Sequence, residues 1–307
     1  MARERWSLTA VLAFGLMVVA WGGNYLFVRI GEGYVDPLWL ATLRAAVGAA
    51  GVGAYLAVSR SAVAFSRRDV RDAALLGIPN TAVFLGLWFT AAPEIAPGVT
   101  AVVVYTFPLW VALLSPSMLG SRLGSRHWLA VGIGFGGVVL VSEPWTAAVG
   151  RHDLLPFAEL IAAAISWAAA TLGFQRRFAP AALPRANGYQ LLGGACALAV
   201  VAVAFRQASV PPASPWLWVA VAWLGLFGTA FAYGVWFHQL RTVHASALSA
   251  YAFLVPLVAL TLSGVVLGER LSVAQGVGVA LVLLGIFLVG SRAPSNPRLP
   301  SPGFPKE

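Results

Sequence analysis

Apolar residues along the chain fall into ten blocks, separated by short breaks that contain arginine, glycine and proline. A helix of about 20 apolar residues rises ~30 Å, which is the thickness of the hydrocarbon core of a bilayer. Each block is therefore predicted to cross a membrane as a helix. The predicted spans are residues 8–30, 37–58, 73–91, 98–119, 127–142, 154–175, 188–205, 216–240, 245–267 and 272–290.

Composition agrees with the membrane interpretation. Of the 307 residues, 59% are hydrophobic and 10% are charged, and the mean hydropathy is +0.81. A soluble domain carries about 25% charged residues, so this chain has too little polar sequence to coat an apolar globular core. We therefore predict an all-α integral membrane protein with ten transmembrane helices.

The basic residues predict how these helices are oriented. A net charge of +9 would indicate nucleic-acid binding in a soluble protein, but in a membrane protein it marks cytoplasmic loops, and no nucleic acid is expected as a partner. With the N-terminus inside, fifteen arginines and lysines fall on the inner side, and only Arg151, Arg206 and Arg270 fall outside. Both termini are thus predicted to be cytoplasmic, in a multi-pass protein of the cell (inner or plasma) membrane.

The two ends of the chain receive different interpretations. The first apolar block runs on to Ile30, which is too long for a signal peptide, and no small-residue cleavage site precedes the next span. We expect it to be a retained helix. Residues 291–307 contain five prolines, which preclude a helix, and they have little apolar surface to bury. They are predicted to form a disordered Pro-rich cytoplasmic tail.

An internal repeat divides the spans into two sets of five. The pattern T-A-x-x-x-G-x-W-F at residues 81–89 recurs at 229–237, which is 148 residues later. The same offset pairs Pro108 with Pro256 and Gly120 with Gly268, while an offset of 146 pairs Trp21 with Trp167. The predicted domains are a first repeat over 1–145, a second repeat over 146–290 and the tail over 291–307.

An odd number of spans in each repeat has a mechanical consequence. The second copy must enter the membrane from the opposite side, so the two five-helix (5+5) repeats are inverted relative to each other. Inverted repeats present similar surfaces to both faces of a membrane, and rocking one against the other gives alternating access to a site near the midplane. This pattern predicts a secondary transporter.

Several of the matched segments resemble a known family. Residues from His244 through Pro256 to the Gly268–Leu271 turn are similar to the small-residue helix, central proline and Gly-Glu-Arg turn of the EamA-type module of the drug/metabolite transporter (DMT) superfamily. The first half has the related segment Val104–Pro108, but its turn at Gly120–Arg122 lacks the glutamate. The resemblance covers residues 8–290 and implies a ten-helix inverted-repeat carrier, often an exporter of amino acids or other metabolites.

Candidate substrate-binding residues are polar or aromatic side chains within the spans. Aromatic rings with a polar tip can line a cavity that accepts an apolar substrate body and hydrogen-bonds its polar end; packing between helices is the alternative for each. Arg44 lies within the second span, where an arginine faces a cavity or a partner, or else snorkels to the headgroups. The candidates are Trp21, Asn24, Tyr25, Arg44, Tyr105, Trp167, Thr171, Tyr233 and Tyr251.

Three other polar residues within the spans are interpreted structurally. Arg29, at the end of its span, is expected to snorkel. Glu159 is the one carboxylate within a span, but it lies close to the outer end and is expected to be interfacial, so that proton coupling has no firm carrier. Asn80 follows Pro79 and is expected to compensate the backbone that the proline disturbs.

The competing functional classes are a membrane enzyme, a channel and a carrier of other cargo. The sequence contains no HExxH, no G-x-S-x-G and no ligand-spaced histidines or cysteines, so no catalytic residue, cofactor or metal is expected. We expect an exporter of amino acids or similar amphipathic metabolites, with multidrug or nucleoside and sugar efflux as the alternative. The expected partners are a small-molecule substrate and the lipid bilayer, in a monomer or weak homodimer.

Overall fold

The computed structural model describes residues 8–59, 64–120, 124–142, 154–205, 213–239 and 254–290. Every regular element within these ranges is a helix. The first half contains α1 Leu8–Gly31, α2 Pro37–Ser59, α3 Arg67–Gly77, α4 Phe84–Ala91, α5 Pro97–Val104, α6 Phe107–Leu119 and α7 Ser125–Ser142. The second half contains α8 Leu155–Arg177, α9 Leu183–Ala204, α10 Pro215–Ala222, α11 Ala232–Gln239, α12 Leu254–Leu267 and α13 Val273–Gly290.

Many of these helices are long and apolar enough to cross a membrane. In the described part of the chain, seven qualify by length and composition, namely Val11–Gly31, Pro37–Val58, Arg67–Glu94, Pro97–Met118, Leu155–Arg177, Leu183–Ala204 and Pro215–Trp236. Shorter apolar helices cover Trp128–Val141, Leu254–Leu267 and Val273–Leu288. The prediction of an all-helical membrane protein is confirmed at this level. The predicted tail 291–307 lies outside the described residues.

The third predicted span begins earlier than the hydrophobic pattern indicated. α3 starts at Arg67 because Ser66 caps it: Asp69 N–H donates to Ser66 Oγ, and Asp69 Oδ2 accepts from the Ser66 N–H. This reciprocal capping box satisfies two backbone donors and adds polar turns before the apolar block. Arg177 at the end of α8 forms ion pairs with Asp69 and Asp72 at 2.6 and 2.7 Å. These pairs bind the polar start of α3 to the end of α8.

Two π-helical segments interrupt equivalent helices of the two halves. Ile78–Val83 joins α3 to α4, and Trp223–Phe231 joins α10 to α11. An offset of 148 carries the first segment onto residues 226–231, which lie inside the second. Such wider turns within α-helices occur frequently at functional sites.

The fourth predicted span is interrupted at Tyr105 and Thr106, between α5 and α6. The ring of Pro108 removes a backbone donor and disfavours helical continuity just before it. Thr106 Oγ1 donates to the Val103 carbonyl at 2.7 Å and so satisfies one acceptor at the break. α6 then ends at Gly120, whose φ of +69° is matched by +70° at Gly268; both are left-handed positions that favour glycine.

The second helix of each half packs against the interrupted helix of the other half. α2 packs on the π segment 223–231, and α9 packs on α3 and the π segment 78–83. A Cβ on Gly48 of α2 would lie 2.6 Å from Thr229 Cγ2, and one on Gly194 of α9 would collide with Thr81. The offset of 146 relates the two glycines, and the offset of 148 relates the two threonines. The same contact is therefore made twice.

The last helices of the two halves, α7 and α13, pack directly on each other. A Cβ on Gly137 would lie 2.6 Å from the carbonyl oxygen of Gly278, and one on Gly285 would lie 2.8 Å from that of Ala130. The offset of 148 converts the first pair into the second. Small residues thus allow the two backbones to approach closely along this interface.

Candidate functional site

A small cavity lies where helices of both halves meet. Its walls come from α1, α2, α4, the α5–α6 junction, α8 and α11, and its volume is about 20 Å³, room for about one water molecule. The lining residues are Trp21, Asn24, Tyr25, Arg44, Phe84, Trp88, Val104, Tyr105, Trp167 and Tyr233.

The structure brings most of the candidate site residues together at this cavity. Trp21, Asn24 and Tyr25 share one face of α1, because positions i, i+3 and i+4 of a helix lie side by side. The candidates that line the cavity are Trp21, Asn24, Tyr25, Arg44, Tyr105, Trp167 and Tyr233. Thr171 is not among the lining residues, and its hydroxyl donates to the Trp167 carbonyl one turn back at 2.9 Å. Tyr251 lies outside the described residues.

Sequence reasoning did not select three of the lining residues, Phe84, Trp88 and Val104. Trp88 was recognised only as part of the repeated T-A-x-x-x-G-x-W-F pattern. Its partner Phe84 is one helical turn away, with ring centroids 5.6 Å apart. The i, i+4 spacing of two aromatic residues was the available signal, although such a pair also occurs in ordinary helix packing.

Trp167 of α8 is the centre of an aromatic cluster. Its ring stacks on Phe107 and Phe84 at 3.9 and 5.0 Å between centroids. Trp21 and Tyr105 meet the same ring edge-on, at 6.4 and 6.0 Å. These contacts join α8 to helices of the first half through polarizable aromatic surfaces.

Trp21 connects α1 to the interrupted helix of the second half. Its indole Nε1 donates to the Gly228 carbonyl at 3.0 Å, which is an acceptor inside the π segment. Its ring contacts Tyr233 and Trp236 at 5.9 and 5.5 Å. A tryptophan at this position therefore supports one wall of the cavity and also satisfies the irregular backbone beside it.

Arg44 is the charged residue that lines the cavity, and it is 3% exposed. Its Nε donates to Thr229 Oγ1 at 3.2 Å. The carboxamide of Asn24, oriented to donate to the Ala20 carbonyl, accepts from Arg44 Nη2 at 3.3 Å. The guanidinium carbon lies 4.9 Å from the centroid of the Trp88 ring, a cation–π distance. Arg44 is thus buried between α1, α2, α4 and the π segment 223–231, with hydrogen-bond and cation–π partners on each side.

Two donors of this wall have no acceptor in the described part of the chain. Arg44 Nη1 and Trp88 Nε1 are both buried and without a hydrogen-bond partner. An unpaired buried donor costs about 1–3 kcal/mol, and more when it is charged. No acidic residue lines the cavity in the described structure, so the charge of Arg44 is compensated only by neutral groups there.

Gln190 of α9 occupies the equivalent position in the other half, 146 residues after Arg44. Its Oε1 accepts from Thr81 Oγ1 at 2.7 Å and from Asn80 Nδ2 at 3.1 Å. Its Nε2 donates to Asn187 Oδ1 at 2.8 Å. This neutral, hydrogen-bonded cluster gives Asn80 a structural contact with α9, while Ser166 Oγ donates to the Pro79 carbonyl at 2.7 Å.

Two further spaces share lining residues with the cavity or with each other, and they extend to the α1–α2 turn. Tyr25 and Trp88 also wall a space of about 10 Å³, which shares Arg29 and Glu32 with a pocket of about 550 Å³. Arg29 Nη1 contacts Glu32 Oε1 at 2.6 Å and donates to the Pro93 carbonyl at 3.2 Å. The side chain of Arg29 is 46% exposed, as expected for a snorkelling residue, but it is also ion-paired.

Two carboxylates near Arg29, those of Glu32 and Glu269, have raised pKa values. Burial raises the pKa of Glu32, Arg29 partly offsets that effect and nearby Glu94 adds to it. Burial also raises the pKa of Glu269, against the opposing effects of the Gly98 backbone N–H and of Arg29. Glu159 lies elsewhere, half-buried on α8, with one oxygen 3.3 Å from Thr90 Oγ1.

Comparison with known proteins gives relatives along almost the whole chain. "Uncharacterized transporter YoaV" of Bacillus subtilis is 24% identical over 275 residues, covering 89% of this chain and 93% of that protein. "Uncharacterized inner membrane transporter YedA" of Escherichia coli is 26% identical, covering 90% and 88%. "Probable amino-acid metabolite efflux pump" of Escherichia coli is 23% identical, covering 89% and 92%.

A solved structure has the same fold. This crystal structure superposes with a TM-score of 0.68 at 21% identity, over 92% of this chain and 98% of that chain. The model of the EamA-like transporter family matches residues 8–143 and again residues 157–291. The family and the names of the relatives indicate a transporter rather than an enzyme. From these matches and its apolar helices, the chain is a multi-pass membrane protein and belongs to the EamA-like transporter family.

Proposed function

We propose that the protein is a secondary transporter that exports amino acids or similar amphipathic metabolites by alternating access. The observation that carries this proposal is the central cavity, whose walls come from both sequence halves. A midplane site at the junction of two repeats is the arrangement that alternating access requires. The name of one Escherichia coli relative, an amino-acid metabolite efflux pump, supports the choice of cargo.

The architecture in this proposal is ten transmembrane helices in two inverted five-helix repeats, over residues 1–145 and 146–290. The duplicated contacts support it. α2 packs on the interrupted helix of the second half, and α9 packs on that of the first. A movement that separates one of these pairs while the other stays closed would open the cavity to one side at a time.

The cavity volume supports a moving carrier. Sites for small molecules have volumes of ~300–1,000 Å³, whereas this cavity has about 20 Å³. A metabolite enters only when the surrounding helices move apart. The described arrangement is therefore a closed one, and transport requires an open state on each side.

The test is counterflow in proteoliposomes that contain the purified protein. We expect preloaded amino acids to accelerate uptake of labelled amino acid, because a carrier returns loaded faster than empty. Conductance without such exchange would identify a channel and contradict the proposal. A panel of amino acids, nucleosides, sugars and cationic drugs identifies the cargo.

A variant links the transport to the cavity. Trp167→Ala removes the centre of the aromatic cluster and should lower counterflow at least tenfold. Trp216→Ala is the matched control, because Trp216 is 62% exposed at the start of α10. Equal transport by both variants, at comparable insertion, would place the substrate path elsewhere.

A further inference from the structure

We propose that Arg44 and Trp88 bind a carboxylate of the cargo, so that the protein selects amphipathic molecules that carry a carboxylate group. This inference rests on the proposed transport function and narrows its substrate class. It distinguishes amino acids and other organic acids from nucleosides, sugars and cationic drugs.

The unpaired donors of the cavity wall are the first argument. Arg44 Nη1 and Trp88 Nε1 belong to side chains that line the same cavity, and both lack an acceptor in the described structure. Their side chains are adjacent, with the guanidinium carbon 4.9 Å from the Trp88 ring centroid. A carboxylate offers two acceptor oxygens and a negative charge, which complements two donors of which one is cationic.

The second argument is the contrast with the other half. Gln190 occupies the position equivalent to Arg44, contacts the equivalent threonine, and satisfies its polar atoms with Asn80, Thr81 and Asn187. In the other half, a neutral amide therefore makes the contact between α9 and the π segment 78–83 equally well. The charge and the spare N–H of Arg44 are not needed for packing, which leaves ligand binding as their use.

The third argument concerns the rest of the wall. Trp21, Phe84 and Trp167 present aromatic surface to the same cavity, and this surface suits the apolar body of an amphipath. A cation without a carboxylate would lie next to the Arg44 guanidinium with no negative group among the described lining residues, whereas an amino acid brings its own carboxylate to pair with Arg44. Like charges in a site shielded from water repel strongly, so cations are disfavoured.

A series of probes tests the inference on the unmodified protein. L-Phenylalanine, L-phenylalaninamide and phenethylamine share a benzyl group and differ in the carboxylate. As competitors of labelled phenylalanine counterflow, the amide and the amine should bind on the order of 10- to 100-fold more weakly, the loss expected for a charge-assisted pair. Inorganic phosphate should not compete; competition by phosphate equal to that of phenylalanine would show a general anion site and overturn the inference.

Variants assign the effect to the two residues. Arg44→Gln copies the residue of the equivalent position, and should weaken phenylalanine binding on the order of 10- to 100-fold while leaving the amide unchanged. Trp88→Phe keeps the ring and removes the N–H, and should weaken phenylalanine binding severalfold. Arg68→Gln removes the same charge from a side chain that is 79% exposed. It should change the binding of neither phenylalanine nor its amide.

The outcomes separate this inference from the function on which it rests. Absence of counterflow with every compound of the wider panel would refute the transport proposal itself. If phenylalanine and its amide compete equally well in counterflow, the protein is a transporter but has no carboxylate site, and the inference is refuted. An Arg44→Gln protein that folds and still prefers phenylalanine over its amide would also refute it.

Discussion

At the scale of single residues, Arg29 and Glu32 illustrate a contact that position alone did not indicate. Arg29 was expected to snorkel because it lies at the end of a span, and its partial exposure agrees with that. The structure adds an ion pair with Glu32 and a hydrogen bond to the Pro93 carbonyl. Arg29 and Glu32 line both the small space beside Tyr25 and Trp88 and the pocket at the α1–α2 turn.

The pH dependence of stability tests the environment of Glu32. Its pKa is raised by burial despite Arg29, so the folded protein holds this proton more firmly than the unfolded chain does. Glu32 therefore contributes to the free energy of unfolding below the ordinary glutamate pKa of ~4.3. This contribution is lost as the pH rises through the raised pKa of the folded protein. Glu94 acts in the same direction on Glu32, and Glu269 titrates with the same sign.

Glu32→Gln should therefore flatten the decline in melting temperature of the detergent-solubilised protein between pH 4 and 7, because glutamine has no proton to lose. Melting curves of both proteins across this range measure the effect. An unchanged slope would mean that Glu32 is solvated, and a steeper slope would mean that the ion pair with Arg29 outweighs burial.

At the scale of helices, glycines decide how closely elements approach. The close pairing of α7 with α13 depends on Gly137 and Gly278, because a Cβ at either position would lie within 2.7 Å of the opposite carbonyl oxygen. The sequence marked the glycine-rich faces as packing surfaces. Which helix each face meets is determined by the tertiary arrangement.

Gly137→Ala should destabilise the protein by about 1–3 kcal/mol, the usual penalty for overpacking. Gly136→Ala is the control, because its Cβ would meet no atom within 4 Å, and replacing glycine inside a helix is neutral or favourable there. Thermal melting in detergent compares the two. Equal melting temperatures would show that α7 and α13 do not pack this closely.

At the scale of the whole molecule, the orientation in the membrane is still a prediction. It rests on the positive-inside rule, and it places the α1–α2 turn outside and the start of α3 inside. Tyr34 lies in that turn and is 38% exposed, and Arg68 lies in the first turn of α3 with its side chain 79% exposed. Both positions are therefore accessible to a reagent from their own side.

A labelling experiment determines the orientation. In a Cys196→Ala background, Tyr34→Cys should react with a membrane-impermeant maleimide in intact cells, and Arg68→Cys should react only after lysis. Mass shift of the purified protein reports each reaction. Labelling of Arg68→Cys alone in intact cells would invert the predicted orientation.

The sequence by itself determined the class of fold and most of the residues that line the cavity. Blocks of apolar residues predict membrane helices because bilayer thickness fixes their length, and the recurring T-A-x-x-x-G-x-W-F pattern reveals the repeat, since equivalent positions of two copies carry equivalent residues. Arg44 and Trp167 could be selected because a charge or a polar-tipped aromatic ring within a span needs a cavity or a partner.

Other features were decided only by the tertiary structure. The early start of α3, the break at Tyr105 and the π segments depend on local hydrogen bonds that average hydropathy does not register. Arg44 contacts Thr229 and has an N–H without an acceptor among the described residues, while Gln190 in the equivalent position is satisfied. Both outcomes depend on contacts between residues more than 100 positions apart. Periodicity fixes which face of a helix is apolar, but only packing against particular neighbours fixes which polar groups find partners.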